Sequence, residues 1–208
     1  MINKYLIAPC LLVIDEFNFK FEGASRNRIK EFADLEFSEA NLSHMLGGHF
    51  GRMANYNYQN RDLVIKQKDF MIEFKYLRNF ATSFNTRSNK MPWKDAFQKD
   101  YNWLCGELNK GYKGKRAFVL GWFNIGAFNT LMQIGTGKGQ TPDFDLEKTR
   151  LLPFINAGKN KTSQVYYNYK FAYEPLPVFP LTPLKSSSGI DCIFLGCETD
   201  KFHFAIYY

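Results

Sequence analysis

Long apolar runs are missing from this chain of 208 residues, and no stretch approaches the ~20 consecutive apolar residues of a membrane-spanning helix. The apolar opening, Tyr5 to Ile14, contains Pro9, meets Asp15 and Glu16 at once and has no small-residue cleavage site, so it is not expected to be a secretory leader. Cysteine is scarce. Cys10, Cys105, Cys192 and Cys197 are too scattered for a disulfide framework, and Cys192 and Cys197 lack a second pair at zinc spacing; free thiols in a reducing compartment, the cytoplasm, are the expectation. Histidine is scarcer still. His44 and His49 stand five apart, which is not the i, i+4 spacing of two imidazoles sharing a metal, and His203 lies between Phe202 and Phe204, so all three read as structural. Gly135 to Gly139 fails as a phosphate-binding loop, because Met132 stands where the first glycine belongs and Gly139 where Ser or Thr belongs.

What the chain has in abundance is aromatic side chains. With 21 Phe and 12 Tyr and 45% hydrophobic residues it is too apolar for disorder, and its length suits a single domain over 1–208. The formal net charge of +7 favours an anionic partner, nucleic acid ahead of an acidic protein or a membrane surface.

Chemistry is concentrated between Asp62 and Tyr76. Two β-rich apolar runs, Leu63 to Ile65 and Phe70 to Phe74, flank the polar cluster Lys66 to Asp69, which predicts a β-hairpin. A loop of two or four residues gives one register, in which numbers summing to 135 face each other, so Asp62 faces Glu73. Side chains alternate with period two, placing Glu73 and Lys75 on one face with Asp62 beside them. Like charges opposite each other destabilise a sheet, and a divalent cation would relieve them: Mg²⁺ takes one or two carboxylates plus water and phosphate oxygens. The competing account is a solvated face with a weak cross-strand ion pair. Against it, both faces of these strands are apolar around the charges, as in covered central strands.

Asp, ten intervening residues, then Glu-x-Lys on a hydrophobic strand resembles the core of the PD-(D/E)xK nuclease superfamily, over roughly Ser38 to Phe123. Arg61 stands where the motif's name has proline. The resemblance implies an α/β fold with a restriction-endonuclease-like mixed central sheet flanked by helices and a nuclease-like core over about 38–123; beyond Asn124 it does not inform, and an additional β-rich C-terminal part over about 160–208 is read from the alternation of its residues. It implies Mg²⁺ or Mn²⁺ held by Asp62 and Glu73, with the Phe74 carbonyl and a carboxylate from the preceding helix, Glu39, completing the shell. Lys75 would orient the nucleophile or meet the phosphate, and Gln98 on the following helix would reach the site. DNA is the substrate implied, ahead of RNA; a non-catalytic basic module that binds nucleic acid or protein is the alternative. Oligomeric state stays open, a homodimer included.

Around this core, Tyr5 to Ile14 and the alternation of Phe17, Phe19 and Phe21 predict one or two strands, and Asn27 to Leu35 a short helix. Ser38 is the expected N-cap of a helix with an apolar face at Leu42, Met45, Leu46, His49, Phe50 and Met53. Glu39 in its first turn is also explained by the helix macrodipole alone. Asn55 to Arg61 reads as a connector, and Arg78, Arg87 and Lys90 as phosphate candidates ahead of the patch Arg26, Arg28, Lys30. A helix from Pro92 carries a stripe through Tyr101, Leu104 and Leu108, and Ala117 to Phe123 is a buried strand. Asp145 to Ala157 is a helix or turn broken at Pro153. Val165 to Tyr173 alternates as an aromatic strand, for a core face or for stacking bases; Pro175 to Pro183 is an extended connector, and Gly189 to Cys197 and Phe202 to Tyr208 form a terminal hairpin.

Overall fold

The computed structural model describes residues 1–78, 97–126, 128–132, 134, 146–157, 165–179, 184 and 189–208. The expectations on Arg87, Lys90, Pro92 and the Gly135 to Gly139 loop lie outside the described residues. A π-helical turn, Asn3–Ile7, runs into α1 (Ala8–Lys20), followed by α2 (Arg26–Glu31) and α3 (Glu39–Gly48). Strands β1 (Ala54–Tyr58), β2 (Arg61–Ile65) and β3 (Phe70–Tyr76) precede α4 (Lys99–Asn109) and β4 (Arg116–Phe123). The short helices α5 (Phe128–Met132) and α6 (Leu146–Arg150) lead to β5 (Ile155–Ala157), β6 (Val165–Tyr167), β7 (Pro175–Val178), β8 (Ile190–Leu195) and β9 (Phe202–Tyr207). Among the described residues no helix is long and apolar enough to cross a membrane.

The fold is mixed α/β. Seven strands form one sheet in the order β1-β2-β3-β4-β9-β8-β7, and β5 pairs with β6 separately. Only β3 and β4 run parallel, with α4 in the crossover between them; the other pairings in this sheet are antiparallel. One face of the sheet packs on α1 and α3, through Val13, Phe17, Leu42 and Leu46 against Ile72, Phe74 and Phe202. The other packs on α4, through Tyr101, Leu104 and Leu108 against Phe118, Leu120 and Tyr207. Every residue of β4 is buried, as a central strand covered on both sides requires. Gly121 permits the close layer contact there, since a Cβ would lie 2.9 Å from Leu42 and 3.0 Å from Phe202.

The hairpin register follows the sum of 135: Leu63 faces Ile72, Val64 faces Met71 and Ile65 faces Phe70. Its four-residue loop is a 3-10 turn closed by Asp69 at φ 48°. Ser38 caps α3, its Oγ accepting from the Asn41 N–H at 3.3 Å.

Four expectations are corrected. Residues 1–22 are helical rather than extended: Leu6, Cys10, Val13, Ile14, Phe17 and Phe21 are buried at helical spacing, while Phe19, which alternation put beside Phe17 and Phe21, is 82% exposed. Packing against the sheet selects the 3.6-residue period over the apparent period of two. Asn55 to Arg61 is not a connector, because Ala54 to Tyr58 pairs with β2 as the sheet's edge. The aromatic strand from Val165 stops at Tyr167 and becomes a 3-10 turn; Tyr167 stacks on Trp122 and Phe194, which is the core use of the aromatics. Pro175 to Val178 forms the other edge strand, where a missing N–H is tolerated.

The β-rich C-terminal part continues the central sheet, with β9 hydrogen-bonded to β4 and β8 to β9. Secondary structure over 38–123 therefore rests on strands that come some 80 residues later, an arrangement fixed by long-range pairing.

Candidate acidic site at the β2–β3 fork

The pairing of β2 with β3 stops after Leu63 and Ile72, and side chains take over the edge of β3. The Phe74 N–H donates to Asp62 Oδ2 at 2.7 Å and the Tyr76 N–H to Glu39 Oε2 at 3.2 Å. The Asp62 N–H in turn donates to Glu73 Oε2 at 3.4 Å. Carboxylates thus satisfy backbone donors that a ladder would otherwise engage.

Gln59 and Asn60, at φ 53° and 58°, close the β1–β2 hairpin, and Asn57 in β1 is also left-handed at 51°. The β1–β2 ladder runs on to Tyr58 and Arg61, while on the β3 side Asp62 turns its carboxylate to the Phe74 N–H.

Four sequence-predicted residues meet at this fork. Glu39 arrives from the first turn of α3, Asp62 from β2, and Glu73 and Lys75 from β3. Lys75 Nζ lies 3.3 Å from Glu39 Oε1 and 3.6 Å from Asp100 Oδ2. Glu73, its side chain 7% exposed, is ion-paired with Arg61, whose guanidinium sits 4.6 Å over the Trp103 ring. Phe74 contributes its N–H, while its ring is buried in the core. Gln98 stands at the N-terminal boundary of α4 without a side-chain cap bond, and Asp100, two residues on, is the group of α4 that reaches Lys75.

Asp100 was missed in the sequence. The signal was present: Asp100, Leu104 and Leu108 recur at i, i+4 and i+8, so a carboxylate sits on the buried stripe of α4.

Four carboxylates gather here with two cations: Glu39 and Asp100 pair with Lys75, Glu73 pairs with Arg61, and Asp62 accepts from the Phe74 N–H, leaving two negative charges in excess when all are ionised. The strain appears in proton affinity. Burial and the nearby Asp62 charge raise Glu73 to about 7 despite Arg61. Burial raises Asp100 to about 6, against the pull of Lys75. Glu39 is raised for the same reason, again against Lys75. Burial alone would lower Lys75, but Glu39 and Asp100 outweigh it and hold the ammonium above the ordinary lysine value.

Beside the carboxylates a cleft of about 130 Å³ opens between α3 and the β1–β2 hairpin, lined by Glu39, Ser43, His44, Tyr56, Asn57 and Asp62 among others. The His44 ring lies tilted at 34° against Tyr56 with centroids 4.5 Å apart, and Tyr56 lies over Gly47, where a Cβ would be 2.5 Å from its hydroxyl. His203 is fully buried, its Nε2 2.9 Å from the Cys197 carbonyl, and burial lowers it to about 4. Of the basic candidates, Arg78 is exposed just past β3; Arg26 donates to the Ile125 carbonyl and Arg28 pairs with Glu31 and Glu36.

Among the described residues, no three His, Cys, Asp or Glu side chains are arranged to hold a metal ion. Compared with known proteins, the chain matches no family model, no curated protein and no solved structure.

Proposed function

We propose that the chain is a metal-dependent nuclease, with Mg²⁺ or Mn²⁺ as cofactor and DNA, ahead of RNA, as substrate. One observation carries this reading: carboxylates from α3, β2, β3 and α4 gather where a strand ladder breaks, and the four outnumber the two cations, Lys75 and Arg61, among them. An uncompensated pair of negative charges is the complement of one divalent cation, and carboxylate oxygens are the donors such a hard ion takes. The donors are of the right chemistry, but as folded no three of them are set to share an ion; Arg61 must yield Glu73 and the carboxylates must draw together. Asp62, Glu73 and Glu39 would hold the cation, with the Phe74 carbonyl adjoining them. When bound, the cation lowers the pKa of a water and offsets charge on the phosphate undergoing attack.

The chain's own residues do the rest. Lys75, kept charged by its two acidic neighbours, serves as a donor to developing negative charge rather than as a base. Asp100 is a positioning residue, acting through Lys75. The net charge of +7 draws a polyanion towards the protein as a whole. Free thiols at all four cysteines support a reducing, cytoplasmic setting.

A second reading, a non-catalytic nucleic-acid-binding module, draws on the fact that each of the four carboxylates already has a donor within the chain. Incubation of supercoiled and linear DNA with Mg²⁺, Mn²⁺ or chelator separates the two. Cleavage should require the cation and fall by about 10²-fold or more in Asp62→Asn, Glu73→Gln and Lys75→Ala. Cleavage that survives all three substitutions discards this site. Binding of DNA without cleavage, and with no Mn²⁺-induced thermal shift, selects the module.

A further inference from the structure

We infer that Arg61 couples cation binding to phosphate binding: its guanidinium neutralises Glu73 in the cation-free chain and, once a divalent cation takes Glu73, turns to a nucleic-acid phosphate while still seated on Trp103. This rests on the nuclease reading and adds a role for a residue at the mouth of the site.

The two cations of the fork are held differently. Lys75 has two carboxylate partners, Glu39 and Asp100, and keeps Asp100 if Glu39 turns to a metal. Arg61 has one carboxylate partner among the described residues, Glu73, and a cation at Glu73 removes it. The pair spans the boundary with solvent: the Arg61 side chain is 25% exposed and that of Glu73 7%. Arg61 therefore reaches inward from an accessible position.

A divalent ion competes for the same carboxylate with twice the charge and a smaller radius. The Arg61 backbone is held by pairing with Tyr58 across the tight Gln59-Asn60 turn, so displacement is a movement of the side chain on a fixed strand. The Trp103 ring, 4.6 Å from the guanidinium, is a contact that does not depend on Glu73. A guanidinium freed on that platform presents a planar fork, the geometry that matches phosphate oxygens. The same side chain that lowers the site's cation affinity then adds to substrate affinity.

The test uses the full chain, with Mn²⁺ titrations read by calorimetry and thermal shift, and binding of a labelled DNA duplex with and without Ca²⁺. Arg61→Gln should bind Mn²⁺ roughly three- to tenfold more tightly, the size expected for removing one competing partly exposed charge. The gain in DNA affinity that Ca²⁺ gives the wild type should shrink by about threefold or more in this variant. Trp103→Leu, which keeps the ion pair, should leave Mn²⁺ affinity unchanged and lose part of the DNA gain; it also serves if Arg61→Gln does not fold. Unchanged or weaker Mn²⁺ binding in Arg61→Gln overturns the inference, as does a full Ca²⁺-dependent DNA gain in Trp103→Leu. Failure of the wild type to bind either cation overturns the nuclease reading itself, a distinct result.

Discussion

Strand β3 is bounded by two charged clusters built from similar residues to opposite effect. At its start, Arg116 bonds Asp69 Oδ1 and Glu107 Oε2, each at 3.0 Å, and the Asp69 carbonyl at 2.7 Å, while Lys115 and Lys110 add to the same two acids. Three cations there face two carboxylates. Asp69 and Glu107 both have lowered proton affinity, because the bonds to their basic partners outweigh burial. At the end of β3 four carboxylates face two cations, and Glu39, Glu73 and Asp100 are all raised. Deep burial raises the carboxyls of the second cluster, and in the shallower first one the bonds to basic partners prevail. The first cluster is complete as a staple between the hairpin loop, α4 and β4; the second is left wanting positive charge.

Removing a central group from each cluster should separate them most sharply. Arg116 is 3% exposed and its loss leaves Glu107 and Asp69 with only the exposed Lys110 and Lys115, so Arg116→Ala should cost about 3 kcal/mol in denaturant unfolding. Equal stability in this variant would erase the contrast, since the lower cluster would then hold nothing together.

Acidity gives a second, smaller separation. A carboxyl group raised in the folded state contributes stability that is present below its unfolded pKa and is lost as pH rises through the folded value. For Glu73 that window runs from about 4.5 to about 7. The melting temperature of Glu73→Gln relative to wild type should therefore climb as pH goes from 5 to 8 without metal. A difference that stays flat or falls would mean that Arg61 already compensates Glu73.

The least effect is expected at the rim of the lower cluster. Lys115 and Asp69 are both nearly half exposed, so Lys115→Ala should change stability by less than about 1 kcal/mol. A larger loss would show that the staple depends on the surface pair as well as on Arg116.

Much of the fork was readable in advance because it depends on local rules. The loop from Lys66 to Asp69 sets which residues face each other, and alternation then puts Asp62, Glu73 and Lys75 together; Ser38 fixes where α3 begins and hence where Glu39 stands. Asp100 and the Arg61–Glu73 pair were not readable in the same way. Their partners lie 25 and 12 residues off, and no spacing rule states which helix crosses a strand end.

The sequence by itself determined the hairpin register, the cap of α3 and the buried character of β4, because each follows from periodicity and turn chemistry within a dozen residues. Tertiary structure decided that the first twenty residues are helical, that β9 lies against β4, and that Asp100 completes the acidic cluster. A phenylalanine-rich segment satisfies either period until a sheet offers it one face to cover. A carboxylate gains its neighbours only when distant segments are brought together to bury the aromatic core.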